Sequence, residues 1–243
     1  MYGMYGYGYG YGYGLDPTII LVLIGVALSL WAQGRVNSTF SRYSRVRSMT
    51  GMTGAEAARR LLNAQGIYDV TVQQIAGELT DHYDPRTKTV NLSQSVYGAT
   101  SVAAIGVAAH ECGHAMQDNE GYAPLRFRSA LVPAANFGSK LSWPLILLGL
   151  VFGGLGSPLV EIGILMFSLA VLFQLVTLPV EYNASARAVR LLDAQGILAG
   201  EEVNGTRKVL NAAALTYVAA AATSILQLLR RIILFGGRNR RDR

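Results

Sequence analysis

Uncharged apolar runs alternate with polar stretches along the chain, and the length of each run limits what it can become. Thr18 to Gly34 carries no charge and has Trp31 near its end, while Asp16 and Pro17 offer a helix cap and a first turn. Such a run is about long enough to cross the hydrocarbon core, so 16–34 is predicted to be a first transmembrane helix. Leu141 to Val180 holds no Lys or Arg and is interrupted by Ser157-Pro158, which predicts a transmembrane hairpin of two helices over 141–180 with a tight outer turn. Asn211 to Leu229 is mostly Ala and Leu, but Arg230 and Arg231 follow it. If that stretch crossed, Arg238, Arg240, Arg241 and Arg243 would lie outside, against the charge rule. Residues 181–235 are therefore expected as helices packed at the inner membrane face, with a fourth span as the alternative.

The polar stretch 35–140 has the patterns of a small water-facing region. Thr53-Gly-Ala-Glu56 is a capping box, helical periodicity follows from Ala55 to Ala64, and Gly66 is placed to stop that helix. Val70 to Ile75 alternates as a strand. Leu79 to Tyr83 and Lys88 to Leu92 flank Asp84-Pro85-Arg86-Thr87, whose turn chemistry predicts a short β-hairpin. Ser101 to Ala109 is apolar, lacks Pro and is in helical register, and Pro124 suits the first turn of a helix carrying Arg126 and Arg128. At the ends, residues 1–15 form a Tyr/Gly low-complexity tail and 236–243 a basic one.

Composition agrees with a membrane chain. Hydrophobic residues are 51% and charged residues 15% of the 243, where soluble proteins have about a quarter charged. The net charge of +6 does not indicate nucleic acid, because Arg and Lys flank the apolar runs and are not interleaved with aromatics. No Lys or Arg precedes the first run, whereas Arg35, Arg42, Arg45 and Arg47 follow it. The N-terminus is thus expected outside and the 35–140 region in the cytoplasm of a multi-pass plasma-membrane protein. The single cysteine, Cys112, excludes an intramolecular disulfide and suits a reducing compartment.

The chemistry concentrates at His110-Glu111-Cys112-Gly113-His114. Two histidines four apart share a helix face and can converge on one Zn2+, and Glu111 can take the proton of a water that the metal acidifies. Cys112 points off that face and reads as a small helix filler. The expected fold is a mostly α membrane protein with a small α+β zincin-like catalytic domain, built from the HExxH helix and a short β-hairpin. A third protein ligand is needed. Glu181 is the first choice, because the span hairpin returns the chain to the motif's side there and the residue is expected to open a new helix. His82, Asp118, Glu120, Asp193, Glu201 and Glu202 are the alternatives. Asp81 and His82 lie on the hairpin, either as ordinary strand and turn residues or in contact with substrate.

Four strings together resemble the YugP-type family of bacterial membrane zinc metallopeptidases: Leu79 to Val90, Ala108 to His114, Gly121 to Arg126 and Leu178 to Ser185. The resemblance covers the chain from about Asp16 to the last apolar helix and implies a multi-pass plasma-membrane peptidase. More remotely, the Glu-x-x-Ala pattern at Glu181 is similar to gluzincin membrane proteases. Those usually carry an Asp four residues after the ligand Glu, where this chain has Ser185, so support of the metal ligands would fall to Ser185, Asn183 or another residue.

The expected activity is that of a zinc-dependent endopeptidase working at the cytoplasmic membrane face on a peptide or membrane-protein substrate. An intramembrane protease fits less well, since only about nine apolar residues precede His110. A transporter would want paired charges at mid-membrane. The alternative from another class is a non-catalytic, zinc-stabilised scaffold or adaptor. Its closed site would need a fourth protein ligand and would have no use for Glu111.

Overall fold

The computed structural model describes residues 16–155 and 157–236, so the Tyr/Gly tail (1–15) and the basic tail beyond Gly236 lie outside the described residues. In chain order the elements are α1 (Ile19–Tyr43), α2 (Gly54–Ala64), β1 (Thr71–Ile75), β2 (His82–Asp84), β3 (Thr89–Ser93), α3 (Gln94–Tyr97), α4 (Val102–Asn119), α5 (Ala123–Gly153), α6 (Pro158–Ala194) and α7 (Glu201–Phe235). The chain is mostly helical, with one small three-stranded sheet. Four helices, α1, α5, α6 and α7, are long and apolar enough to cross a membrane.

The region between α1 and α5 folds where its local signals are strongest. Thr53 accepts the backbone N–H of Glu56 at 3.2 Å, and the Glu56 carboxylate accepts that of Thr53 at 2.8 Å, which closes the capping box that starts α2. Gly66, with φ of +69°, ends it. The predicted hairpin pairs β2 with β3 in antiparallel register, His82 opposite Asn91 and Asp84 opposite Thr89. The strand predicted near 70–75 joins the same sheet, parallel to β3 on its other side. The order β1-β3-β2 leaves β2 as a free edge. Tyr83 and Lys88 both bond the Asp118 carboxylate, at 2.8 and 2.7 Å, and so tie the hairpin to the end of α4. Below the sheet, α2 and α4 bury Leu61, Leu62, Ile105, Cys112 and Met116 in one core with Leu92, Leu192 and Ile197.

The long helices differ from the sequence expectation in two respects. First, α5 is unbroken from Ala123 to Gly153, and α6 from Pro158 to Ala194, so no new helix opens at Glu181. Polarity changes where a helix leaves the bilayer, but nothing there obliges the backbone to stop. Pro179 removes one hydrogen bond without ending α6, as spanning helices tolerate. Second, α7, expected at the inner membrane face with a fourth span as the alternative, runs antiparallel along α1. Thr223 donates to the Gly25 carbonyl at 3.1 Å, and Arg230 pairs with Asp16 at 3.0 Å, so α7 follows α1 to its N-terminal end. The neighbouring Arg231 is buried with its guanidinium 3.5 Å from the Phe167 ring centroid and 5.2 Å from that of Trp143, which fastens α7 to the α5–α6 hairpin through cation–π contact. Within that hairpin glycines permit close approach: a Cβ on Gly163 would lie 2.9 Å from the Ser142 carbonyl oxygen.

Candidate metal centre

Helix α4 carries His110 and His114 one turn apart on a face that meets α6, and the four-residue spacing stacks their rings edge to face with centroids 4.8 Å apart. Between the helices stands Gly113. A Cβ there would lie 2.6 Å from the Ala184 carbonyl oxygen, so only glycine lets α6 come this near. That approach brings Glu181 to the histidines. One of its oxygens, Oε2, is 3.2 Å from His110 Nε2 and 3.5 Å from His114 Nε2, while Oε1 is 3.5 Å from Arg128 on α5.

The second ring nitrogens are held from behind. Ser185 Oγ lies 3.1 Å from His110 Nδ1, and Gln117 Oε1 accepts from His114 Nδ1 at 3.0 Å, so both Nε2 atoms are left facing inward. Gln117 also donates to the Val180 carbonyl and to Asn183 Oδ1, each at 2.9 Å, which locks α4 against α6. Asn183 therefore reaches the site through Gln117 and touches neither histidine. Burial by itself would lower the pKa of His114, but its bond to Glu181 and the charges of Glu111 and Glu181 outweigh this and raise it. A metal entering here displaces a proton.

His110, His114 and Glu181 offer ligand atoms that all lie within 4.8 Å of one another, and Glu181 is 2% exposed. Donors bonded to one tetrahedral zinc at about 2.0–2.1 Å would stand about 3.3 Å apart, close to the two distances from Glu181 to the imidazoles. Two imidazoles and a buried carboxylate are a donor set that zinc takes readily. Of the other carboxylates considered, Asp118 is engaged by Lys88, and Glu120 pairs with Arg187 at 2.6 Å. Cys112 faces the opposite way, its sulfur 3.6 Å from the Ala58 carbonyl oxygen, and burial pushes its thiol pKa far up.

Glu111 is buried beside the cluster and lines two cavities. The larger, about 520 Å³, is bounded by β2 with Asp81 and His82, by Arg128 of α5 and by Tyr217 of α7. The smaller, about 250 Å³, is lined by His110 and Glu111 together with Phe40, Leu79, Val107 and Tyr217. Asp81 binds Ser93 through its backbone N–H at 2.8 Å and its hydroxyl at 2.9 Å, so it anchors the approach to the edge strand. His82 Nδ1 is 2.9 Å from the Thr80 carbonyl and its Nε2 is 3.2 Å from Asn91, within the strand pair and away from the three clustered side chains. Gln117, Arg128 and Tyr217 have no motif of their own. Gln117 could have been found as the residue one turn after His114, but the other two arrive through tertiary packing alone.

Replacing Gln117 by Leu is expected to free the His114 ring and weaken zinc binding about 10–100-fold, with the helices still folded. Zinc titration with a competing chelator checks this, and unchanged affinity would remove Gln117 from the support of the site.

The fold and donor set define a membrane protein with the ligands of a zinc site, and comparison with known proteins supplies its family. Residues 18–236 match the family described as "Putative neutral zinc metallopeptidase", and the chain belongs to it. It is 49% identical over 217 residues to a Bacillus subtilis (strain 168) protein named "Putative membrane protease YugP", an alignment that covers 89% of this chain and 96% of that one. No solved structure matches the chain.

Proposed function

We propose that the chain is a zincin-like, gluzincin-type endopeptidase that hydrolyses peptide bonds at the cytoplasmic face of the plasma membrane. The observation that carries this reading is that Glu111 lines two open cavities, one also lined by His114 and Glu181 and the other by His110, next to three zinc-type ligands. A polypeptide laid along the edge of β2 and across both cavities would not need to present an end, which suits an endopeptidase.

His110, His114 and Glu181 would hold the metal, with His110 backed by Ser185 and His114 by Gln117. Zinc held there supplies acidification of a water and polarisation of the scissile carbonyl. Glu111, a carboxylate outside the ligand set, accepts the proton of the attacking water and returns it to the leaving amine. The free edge of β2 aligns an extended peptide by main-chain hydrogen bonds, with His82 along that edge and Asp81 fixing its start. Arg128 and Tyr217 line the same cavity beside Glu181, and their N–H and O–H groups would serve as donors to an oxyanion formed there. Cys112 turns into the core between α4 and α2, which supports an open site over the closed one a scaffold would need. The cytoplasmic assignment rests on Arg35, Arg42, Arg45 and Arg47 at the site's end of α1. Membrane proteins and unfolded chains at the bilayer surface are the substrates within reach.

Metal removal tests this reading. The full chain in detergent is expected to cleave a loosely folded protein, to lose that activity on chelation and to regain it with stoichiometric zinc. Undiminished cleavage by protein shown to be free of metal would overturn it.

A further inference from the structure

Away from the catalytic cleft, a cavity of about 520 Å³ opens between α1 and the first half of α7. Its polar lining is Arg35, Ser38, Thr39 and Arg42 from α1, with Lys208 and Asn211 from α7. The lining includes three cations and no carboxylate, and none of the three forms a salt bridge among the described residues. Among the described residues Arg42 makes only a ring contact, its guanidinium 5.7 Å from the Tyr43 centroid. Hydroxyls at Ser38 and Thr39 and the Asn211 amide add neutral hydrogen-bonding groups beside these charges.

The position of the cavity limits its ligand. Arg35 is the first charge after the uncharged run of α1, so the cavity lies where that helix leaves the hydrocarbon. The surface turns apolar on the side toward the membrane. Trp31, one turn before Arg35 on the same face, is 56% exposed, Leu215 lines the cavity, and Val218, one turn further along α7, is exposed. A ligand that satisfies both parts carries an anionic, phosphate-type group on hydrocarbon chains. An acidic peptide or a nucleic acid would leave the apolar seam uncovered.

We propose that this cavity is a binding site for the headgroup of an anionic phospholipid, its phosphate between Arg35, Arg42 and Lys208 and its chains along Trp31, Leu215 and Val218. Basic pockets between transmembrane helices bind such headgroups through charge-assisted hydrogen bonds. The lipid bridges α1 and α7, whose other faces supply Phe40 and Tyr217 to the catalytic cleft. The proposal does not depend on the peptidase reading, because binding is measured without turnover.

The test uses the full chain in neutral detergent and measures thermal stability and lipid retention as phosphatidylglycerol, phosphatidylcholine or inorganic phosphate is added at constant ionic strength. Phosphatidylglycerol is expected to bind and raise Tm, and the other two are not. Arg35→Gln with Lys208→Gln should weaken phosphatidylglycerol binding about tenfold or more, whereas Arg45→Gln with Arg47→Gln, an equal charge loss outside the cavity, should leave it unchanged. Should the first pair fail to fold, Ser38→Leu, which obstructs the cavity and keeps all three charges, is expected to weaken binding instead. Equal losses in the two charge pairs would mean diffuse attraction and overturn the site. Wild-type binding in the cavity variants would do the same, and so would a response to inorganic phosphate equal to that for the lipid.

Discussion

Gly113→Ala is expected to strip zinc from the protein and to destabilise it, although no ligand is changed. On an isolated helix the substitution is favourable by up to about 1 kcal/mol, since alanine is the better helix former. Here the new methyl would sit 2.6 Å from the Ala184 carbonyl oxygen and 3.1 Å from the Ala184 Cα, both backbone atoms that cannot swing aside. Relief requires α6 to move off α4, and overpacking of this kind costs about 1–3 kcal/mol, more than the propensity gain. The same movement carries Glu181, three residues before Ala184, away from His110 and His114 and pulls Val180 from Gln117. Loss of metal with a lowered Tm is therefore the expected result, read by metal analysis and thermal unfolding. A variant with stoichiometric zinc and wild-type Tm would show that this contact does not set the site.

Local signals made much of the fold legible. The Thr53–Glu56 capping box, the turn from Asp84 to Thr87 and the alternation near Val72 act within a few residues, and each appears where its pattern lies. The continuity of α5 and α6 was not legible, because the change from apolar to polar near 140 and 180 marks the environment of a helix and not its end. The course of α7 was hidden for a different reason. Its basic end argued against crossing, while the contacts that lay it along α1, Arg230 to Asp16 and Thr223 to Gly25, join residues about two hundred positions apart.

At the site the same division holds. The spacing of His110 and His114 is helical and visible, and Ser185 follows from Glu181 by one turn of the same helix. Arg128 and Tyr217 come from α5 and α7, and only the packing of those helices against α6 carries them to Glu181 and Glu111. The small size of Gly113 permits close packing against another element, and only the tertiary structure shows that this element is the α6 backbone at Ala184.

Glu111 is the residue on which the catalytic account turns. It is buried at 7% exposure, belongs to neither end of the ligand cluster and faces both cavities. Replacement by Gln keeps its size and hydrogen-bonding shape but removes the proton acceptor. Positioned acid–base groups contribute about 10²–10⁴-fold to rate, so the loss should be of that order with zinc content and Tm unchanged. The most direct measurement compares wild type and Glu111→Gln, at equal bound zinc in detergent, for cleavage of a loosely folded protein. The account predicts cleavage by wild type and at least a hundredfold less by the variant; equal cleavage by both would contradict it.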